Sequence, residues 1–201
     1  MKKILSIACI TLLFLSLSFV PKTKKVVVLD VSHGGTDKGT RQGDFFEKDI
    51  VLSIANKIKD LNKDKKFEIV LSRESDHLIT LTDRVDFINS QNPSILLSLH
   101  INNTKSSRVN GYDIHVKENF LTEESLLIAA VLESQFPAEI RKRKVSMERF
   151  FILKNSNCPP ALLELGYLSN AKDRAYLLSE KGQWKIAQAI YKAVKFSRIQ
   201  L

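Results

Sequence analysis

Two histidines and two glutamates stand at or near the ends of apolar runs in this sequence. "VVVLDV" leads through Ser32 to His33, "SILLSL" ends at His100, and "PALLEL" encloses Glu164 among apolar neighbours. Glu47 opens the helical pattern "EKDIVLSIANKIKDLN". If these side chains converge, two imidazoles and two carboxylates meet at one place. His₂Glu is a ligand set of catalytic zinc, which keeps a fourth position for water, and a remaining carboxylate could then act as general base. Each residue also has a plainer explanation. A histidine at a strand end is commonly a hydrogen-bonded surface residue, and a glutamate in a first helical turn suits the helix dipole. Glu164 is harder to explain that way, because an unpaired carboxylate among apolar neighbours is costly. His77 lies in a charged loop and His115 mid-strand, and both are read as structural.

Other motif chemistries fit less well. Gly34 and Gly39 have the spacing of a phosphate-binding loop, but Thr40 stands where that loop needs Lys. Neither H-E-x-x-H nor G-x-S-x-G occurs. Cys158 is followed by two prolines and has no evident histidine partner, which makes it a poor nucleophile candidate.

The elements that must position the four residues follow from periodicity. Strand-like runs "KVVVLDV", "FEIVLS", "SILLSLH", "GYDIHVK", "RFFIL" and "PALLEL" alternate with helical patterns. Ile50, Ile54, Ile58 and Leu61 share one helical face, as do Leu81, Val85 and Ile88. "TEESLLIAAVLESQF" reads as a helix capped by Thr122 and ended by Pro137, and residues 170–180 and 183–196 as two closing helices. Continuous apolar strands between amphipathic helices predict an α/β fold: a largely parallel twisted sheet flanked by helices on both faces, in a single domain. Ligands in such folds gather beyond the carboxyl ends of the strands, where His33 and His100 stand.

Residues 1–20 are set apart from the domain at 21–201. Lys2 and Lys3 precede an apolar run from Ile4 to Val20, with Ser16 and Ser18 near its end and Pro21 and Lys22 after it. This reads as a secretory signal peptide or an uncleaved N-terminal anchor, and predicts export to the periplasm or cell envelope. Removing Lys2 and Lys3 takes the formal charge from +9 to +7. A basic surface favours anionic partners such as an envelope polymer, but no aromatic-interleaved basic stripe marks a nucleic-acid site, and "RKRK" at 141–144 is a lone cluster. With Cys158 the only cysteine after residue 20, no intramolecular disulfide is available to the domain.

Five collinear segments resemble the zinc-dependent N-acetylmuramoyl-L-alanine amidases of bacterial peptidoglycan. They are "VVLDVSHGGTDKG", "EKDIVLSIANKI", "LSRESDHLITLTDRVDFIN", "SILLSLHINN" and "PALLELGYLSN". The resemblance implies one Zn²⁺ held by His33, Glu47 and His100, with Glu164 as the catalytic carboxylate. It also implies peptidoglycan or muropeptide as substrate. The expected reaction is hydrolysis of the amide between the muramoyl lactyl group and L-alanine. Two other readings share these residues: a non-catalytic peptidoglycan-binding protein of the same fold, and a zinc peptidase cutting within the stem peptide.

Gly34 and Gly35 are expected to turn the backbone so that bulk does not crowd the metal, and Asp37 to stabilise the loop by local hydrogen bonds. Ser32 departs from the glycine usual there, which predicts strain if that position takes a positive φ. Between His100 and Glu164 one strand, one helix and another strand use up the chain, predicting an open site. Residues 137–149, "PAEIRKRKVSMER", are the expected place for a short lid or substrate loop.

Overall fold

The computed structural model describes residues 24–65, 67–118 and 121–200; the signal peptide or anchor expected over residues 1–20 lies outside them. In chain order the elements are β1 (Val26–Val31), β2 (Arg41–Gln42), β3 (Phe45–Phe46), α1 (Glu47–Leu61), β4 (Glu68–Leu71), α2 (Leu81–Ser90), β5 (Ile95–Asn102), β6 (Tyr112–Val116), α3 (Thr122–Gln135), β7 (Lys142–Met147), α4 (Phe151–Asn155), β8 (Pro160–Tyr167), α5 (Ala171–Leu178) and α6 (Glu180–Gln200). Six strands form one sheet in the order β4-β1-β5-β8-β6-β7. All neighbours run parallel except β6, which is antiparallel to β8. The expected largely parallel α/β architecture is what forms.

Each face of the sheet buries its own core. Val27, Leu29, Val31, Leu97, Leu99 and Leu163 pack with Ile54 and Ile58 of α1, Ile128 and Leu132 of α3, and Ile186 and Ile190 of α6. Val28, Leu96 and Leu162 point the other way, onto Val85 and Ile88 of α2 and Ile152 and Leu153 of α4. The strands are apolar on both sides because both sides are covered. Parallel pairing brings the carboxyl ends of β1, β5 and β8 to one edge. There His100 lies directly across from Glu164, and Val31 across from Leu99.

Four local expectations are corrected. "RFFIL" is not a strand: its core becomes α4, where adjacent Ile152 and Leu153 are buried while Phe150 and Phe151 face outward. Five residues are too few for periodicity to separate the two states. Residues 142–147 are not a lid but the edge strand β7, paired to β6. Its "KRK" misled because charge is what exposed edge strands carry. Thr122 does not cap α3; its hydroxyl donates to the Lys117 carbonyl, and Leu121 occupies the cap position. Leu81, expected in the core with Val85 and Ile88, is 57% exposed at the start of α2.

Burial predicts where truncation hurts. Ile54→Ala, at a fully buried site, should cost about 2–5 kcal/mol. Leu127→Ala, on the open face of α3, should stay within about 0.5 kcal/mol. Urea denaturation of the two variants in chelator checks the contrast.

Candidate metal centre

The site begins where the chain leaves β1. Two buried arginines hold the last carbonyls of that strand and its loop. Arg73 donates to the carbonyls of Val31 (3.1 Å), Ser32 (2.9 Å) and Lys48 (2.7 Å). Arg84 donates to the carbonyls of Val31 (2.6 Å) and His33 (3.0 Å) and to Asp30 Oδ1 (2.7 Å). Asp30 is itself buried and accepts further hydrogen bonds from Ser72 and Ser98. Burial opposes its charge, yet Arg84 and Ser98 keep its carboxyl below the ordinary value.

This clamp sets the conformation of His33, whose φ is 59°. A non-glycine residue in the left-handed region is strained by about 1–3 kcal/mol and persists only where its surroundings impose it. The strain expected at Ser32 is therefore absent there and falls on the histidine. Ser32 keeps an ordinary backbone, and its hydroxyl lies 3.4 Å from Glu47 Oε1.

The loop then turns through glycines. Gly34 has φ 134°, and a Cβ there would lie 2.2 Å from the His77 carbonyl. The crowding of the site expected at Gly34 and Gly35 is found instead at Gly39. With φ 64°, its Cβ would stand 2.5 Å from Glu47 Oε2 and 2.6 Å from His33 Cδ2. Asp37 does more than brace the loop. One oxygen accepts from the Gly39 amide (3.1 Å), while the other lies 2.8 Å from His33 Nδ1. An ionised carboxylate only accepts, so Nδ1 carries a proton and Nε2 faces the site.

Glu47 is the first residue of α1, where the helix dipole favours an anion. Its Oε1 accepts from the Ile101 amide (2.9 Å) and lies 3.1 Å from both His33 Nε2 and His100 Nδ1. Its Oε2 accepts from the Thr40 amide (2.8 Å). Burial works against the charge, but hydrogen bonds from His100 and His33 hold the carboxyl far below its usual range. Conversely, although burial disfavours its cation, the carboxylates of Glu47 and Asp37 raise the His33 imidazole to about 9. The three donor atoms of His33, Glu47 and His100 lie within 4.8 Å of one another. Two imidazoles and one carboxylate at that separation fit a tetrahedral cation with an open position.

Glu164 lines the same cleft as His33 and His100. Its Oε2 is buried with no hydrogen-bond partner among the described residues. Burial lifts its carboxyl to about 7, against the opposing pull of His100. All four residues expected at the site are thus brought together. His33 and His100 keep 22% and 24% of their side chains exposed, so the cleft is open.

The two histidines read as structural lie elsewhere. His77 is exposed beside Ser75, and His115 is buried against Ser146. Burial raises the Cys158 thiol to about 12, which suits a packing role. Sequence reasoning missed Asp30 and Arg84. A lone aspartate inside "VVVLDV" was the available signal, since a buried carboxylate demands a partner.

A profile of the family described as N-acetylmuramoyl-L-alanine amidase matches residues 27–195. The uncharacterized protein YqiI of Bacillus subtilis (strain 168) is 32% identical over 176 residues, spanning 87% of this chain and 85% of that protein. The germination-specific N-acetylmuramoyl-L-alanine amidase of the same organism is 28% identical over 191 residues, spanning 87% and 80%. The catalytic domain of CwlV, an N-acetylmuramoyl-L-alanine amidase from Bacillus (Paenibacillus) polymyxa var. colistinus, superposes with a TM-score of 0.80. It is 31% identical and covers 86% of this chain and 97% of that domain.

Two outcomes are expected of this architecture. Asp30→Ala strands a buried guanidinium and should lose about 3–5 kcal/mol in urea denaturation, as should Arg84→Ala. The double variant should lose clearly less than the two together, and strict additivity would contradict the pairing. The second concerns pH without metal. The His33 contribution is complete below 6.5 and lost as pH rises through about 9; that of protonated Glu164 is complete below 4.5 and lost through about 7. The melting temperature in chelator should therefore fall from pH 6 to 9, and His33→Asn should flatten the upper part of the decline.

Proposed function

The chain belongs to the N-acetylmuramoyl-L-alanine amidase family, and from that premise we propose a zinc-dependent enzyme in which His33, Glu47 and His100 hold the metal and Glu164 moves the proton. It is a hydrolase of peptidoglycan, acting on the amide that joins the muramoyl lactyl group to L-alanine. The observation that carries the metal reading is the convergence of two imidazole nitrogens and one carboxylate oxygen beside a half-buried glutamate whose Oε2 has no hydrogen-bond partner among the described residues. A bound Zn²⁺ supplies a Lewis acid that polarises the scissile carbonyl and lowers the pKa of water from 15.7 to about 7.

The chain's own groups divide the remaining work. Asp37 holds the proton of His33 on Nδ1 and so aims the Nε2 lone pair inward. The amides of Ile101 and Thr40 fix the Glu47 carboxylate as an anion, leaving it a donor rather than a base. Glu164 has the opposite environment. With no hydrogen bond to its buried oxygen and a carboxyl raised to about 7, it can take a proton from the attacking water and return it to the departing amine. Two carboxylates in one site are thereby assigned different roles by their surroundings, as acid–base chemistry near neutral pH requires.

A substrate that lies outside the cytoplasm supports reading residues 1–20 as an export signal, with residues 21–201 as the catalytic domain. No helix among the described residues is long and apolar enough to cross a membrane.

The decisive experiment is digestion of purified sacculi with and without chelator, with products identified by mass. Peptides with a free N-terminal L-alanine and exposed lactyl carboxylates are expected, and only with metal. Shortened stem peptides would mean a peptidase. Glu164→Gln should retain zinc by elemental analysis and lose about 10²–10⁴-fold in kcat. Undiminished turnover would remove Glu164 from its role.

A further inference from the structure

The mechanism employs the polar groups of the cleft and leaves the apolar ones without a task. The cleft has a volume of about 390 Å³. Leu78, Ile79 and Leu81 reach it from the loop before α2 and that helix's first turn; Phe150, Phe151 and Ile152 reach it from the start of α4. Nine large apolar side chains are prominently exposed among the described residues, and Leu78, Leu81, Phe150 and Phe151 gather at this one cleft. Scattered apolar residues need no explanation, whereas a cluster in a concave site beside reactive groups marks a binding surface. Phe150 is also held in place: its ring meets His115 edge to face at 5.3 Å, and His115 is tied to Ser146 at 2.8 Å.

Away from the two imidazoles of the metal centre, the same lining has no cation to spare. Arg84 is the only lysine or arginine among the described residues around the cleft, and it is committed to Asp30, Ser72 and two backbone carbonyls. On the α2–α4 side the carboxylates of a stem peptide would find mostly apolar side chains and no free cation. A pyranose ring is a better match, because it is uncharged, apolar on its C–H face and polar around its edge. Phenyl rings offer a large flat apolar surface to such a face.

Resting on the amidase reading, we propose that Phe150 and Phe151, together with Leu78 and Leu81, form a glycan subsite that seats an N-acetylated pyranose ring of the peptidoglycan strand. The subsite places the sugar on the α2–α4 side of the reacting amide and directs the stem peptide away from it. It serves specificity and positioning, and takes no part in proton transfer.

The test compares the zinc-loaded protein with Phe150→Ala, Phe151→Ala and Phe151→Trp on two soluble substrates. One is a disaccharide-peptide carrying N-acetylmuramic acid; the other is an N-lactoyl-peptide of the same stem without sugar. The kcat/KM ratio of sugar-bearing to sugar-free substrate should fall about tenfold in the alanine variants, mainly through KM, and recover in Phe151→Trp. Equal losses on both substrates, no loss, or a selective loss on the sugar-free peptide would overturn the subsite. A peptide-free glycan oligosaccharide, followed by saturation-transfer NMR, separates this idea from the amidase reading. Binding by the wild type that Phe151→Ala abolishes would uphold the subsite even if no amide were cut, and absence of wild-type binding would refute it.

Discussion

The site depends on how the backbone is held where it leaves β1. The carbonyls of Val31, Ser32 and His33 are consecutive and turn out of the strand, and all three accept from buried guanidiniums. Carbonyls withdrawn from water need donors, and arginine supplies several in a fixed planar fork. Lysine could not span the same set of acceptors. The charge of Arg84 is answered at close range by Asp30, whose remaining lone pairs are occupied by serines from β5 and the segment after β4. A buried ion pair of this kind is weak evidence of stability, because desolvation offsets much of its attraction. What it does here is impose one conformation on His33 that the residue would not otherwise adopt.

A second level of order rests on that clamp. Once His33 is fixed, a single oxygen of Glu47 can gather the ring nitrogens of both histidines and a backbone amide. Glu47 reaches this point because α1 starts immediately after the β2–β3 hairpin, with its first residue at the edge where β1 and β5 end. Glu47 Oε1 is thereby brought within 3.1 Å of both His33 Nε2 and His100 Nδ1. A cation bound at these atoms would have to displace a proton from His33, whose imidazole the carboxylates of Glu47 and Asp37 raise.

Much of this was legible from the order of residues. Parallel strands buried on both faces give continuous apolar runs, and their carboxyl ends must share an edge. The types of residue at those ends, His33, His100 and Glu164, therefore pointed to the cleft where the three converge. What stayed hidden depends on contacts between distant segments. Nothing local to Arg84 marks it as the partner of Asp30, 54 positions away. Phe150 and Phe151 looked like strand residues because four consecutive apolar positions carry no period, and Leu81 looked like core because its helical spacing is right. Its exposure follows from its place at the first turn, where α2 overhangs the cleft instead of the sheet.

The contrast between Ser32 and Gly39 shows how such a loop tolerates change. A glycine was expected before the metal-facing histidine, and its absence pointed to strain. The left-handed backbone occurs one residue later, so the side chain at 32 meets no steric bar, and its hydroxyl comes within 3.4 Å of Glu47 Oε1. At Gly39, by contrast, the backbone passes so close to His33 and Glu47 that even a methyl group would displace the donors. Position 32 is open to a polar side chain because the clamp acts through its carbonyl alone. Position 39 is closed because His33 and Glu47 occupy the space a side chain would need.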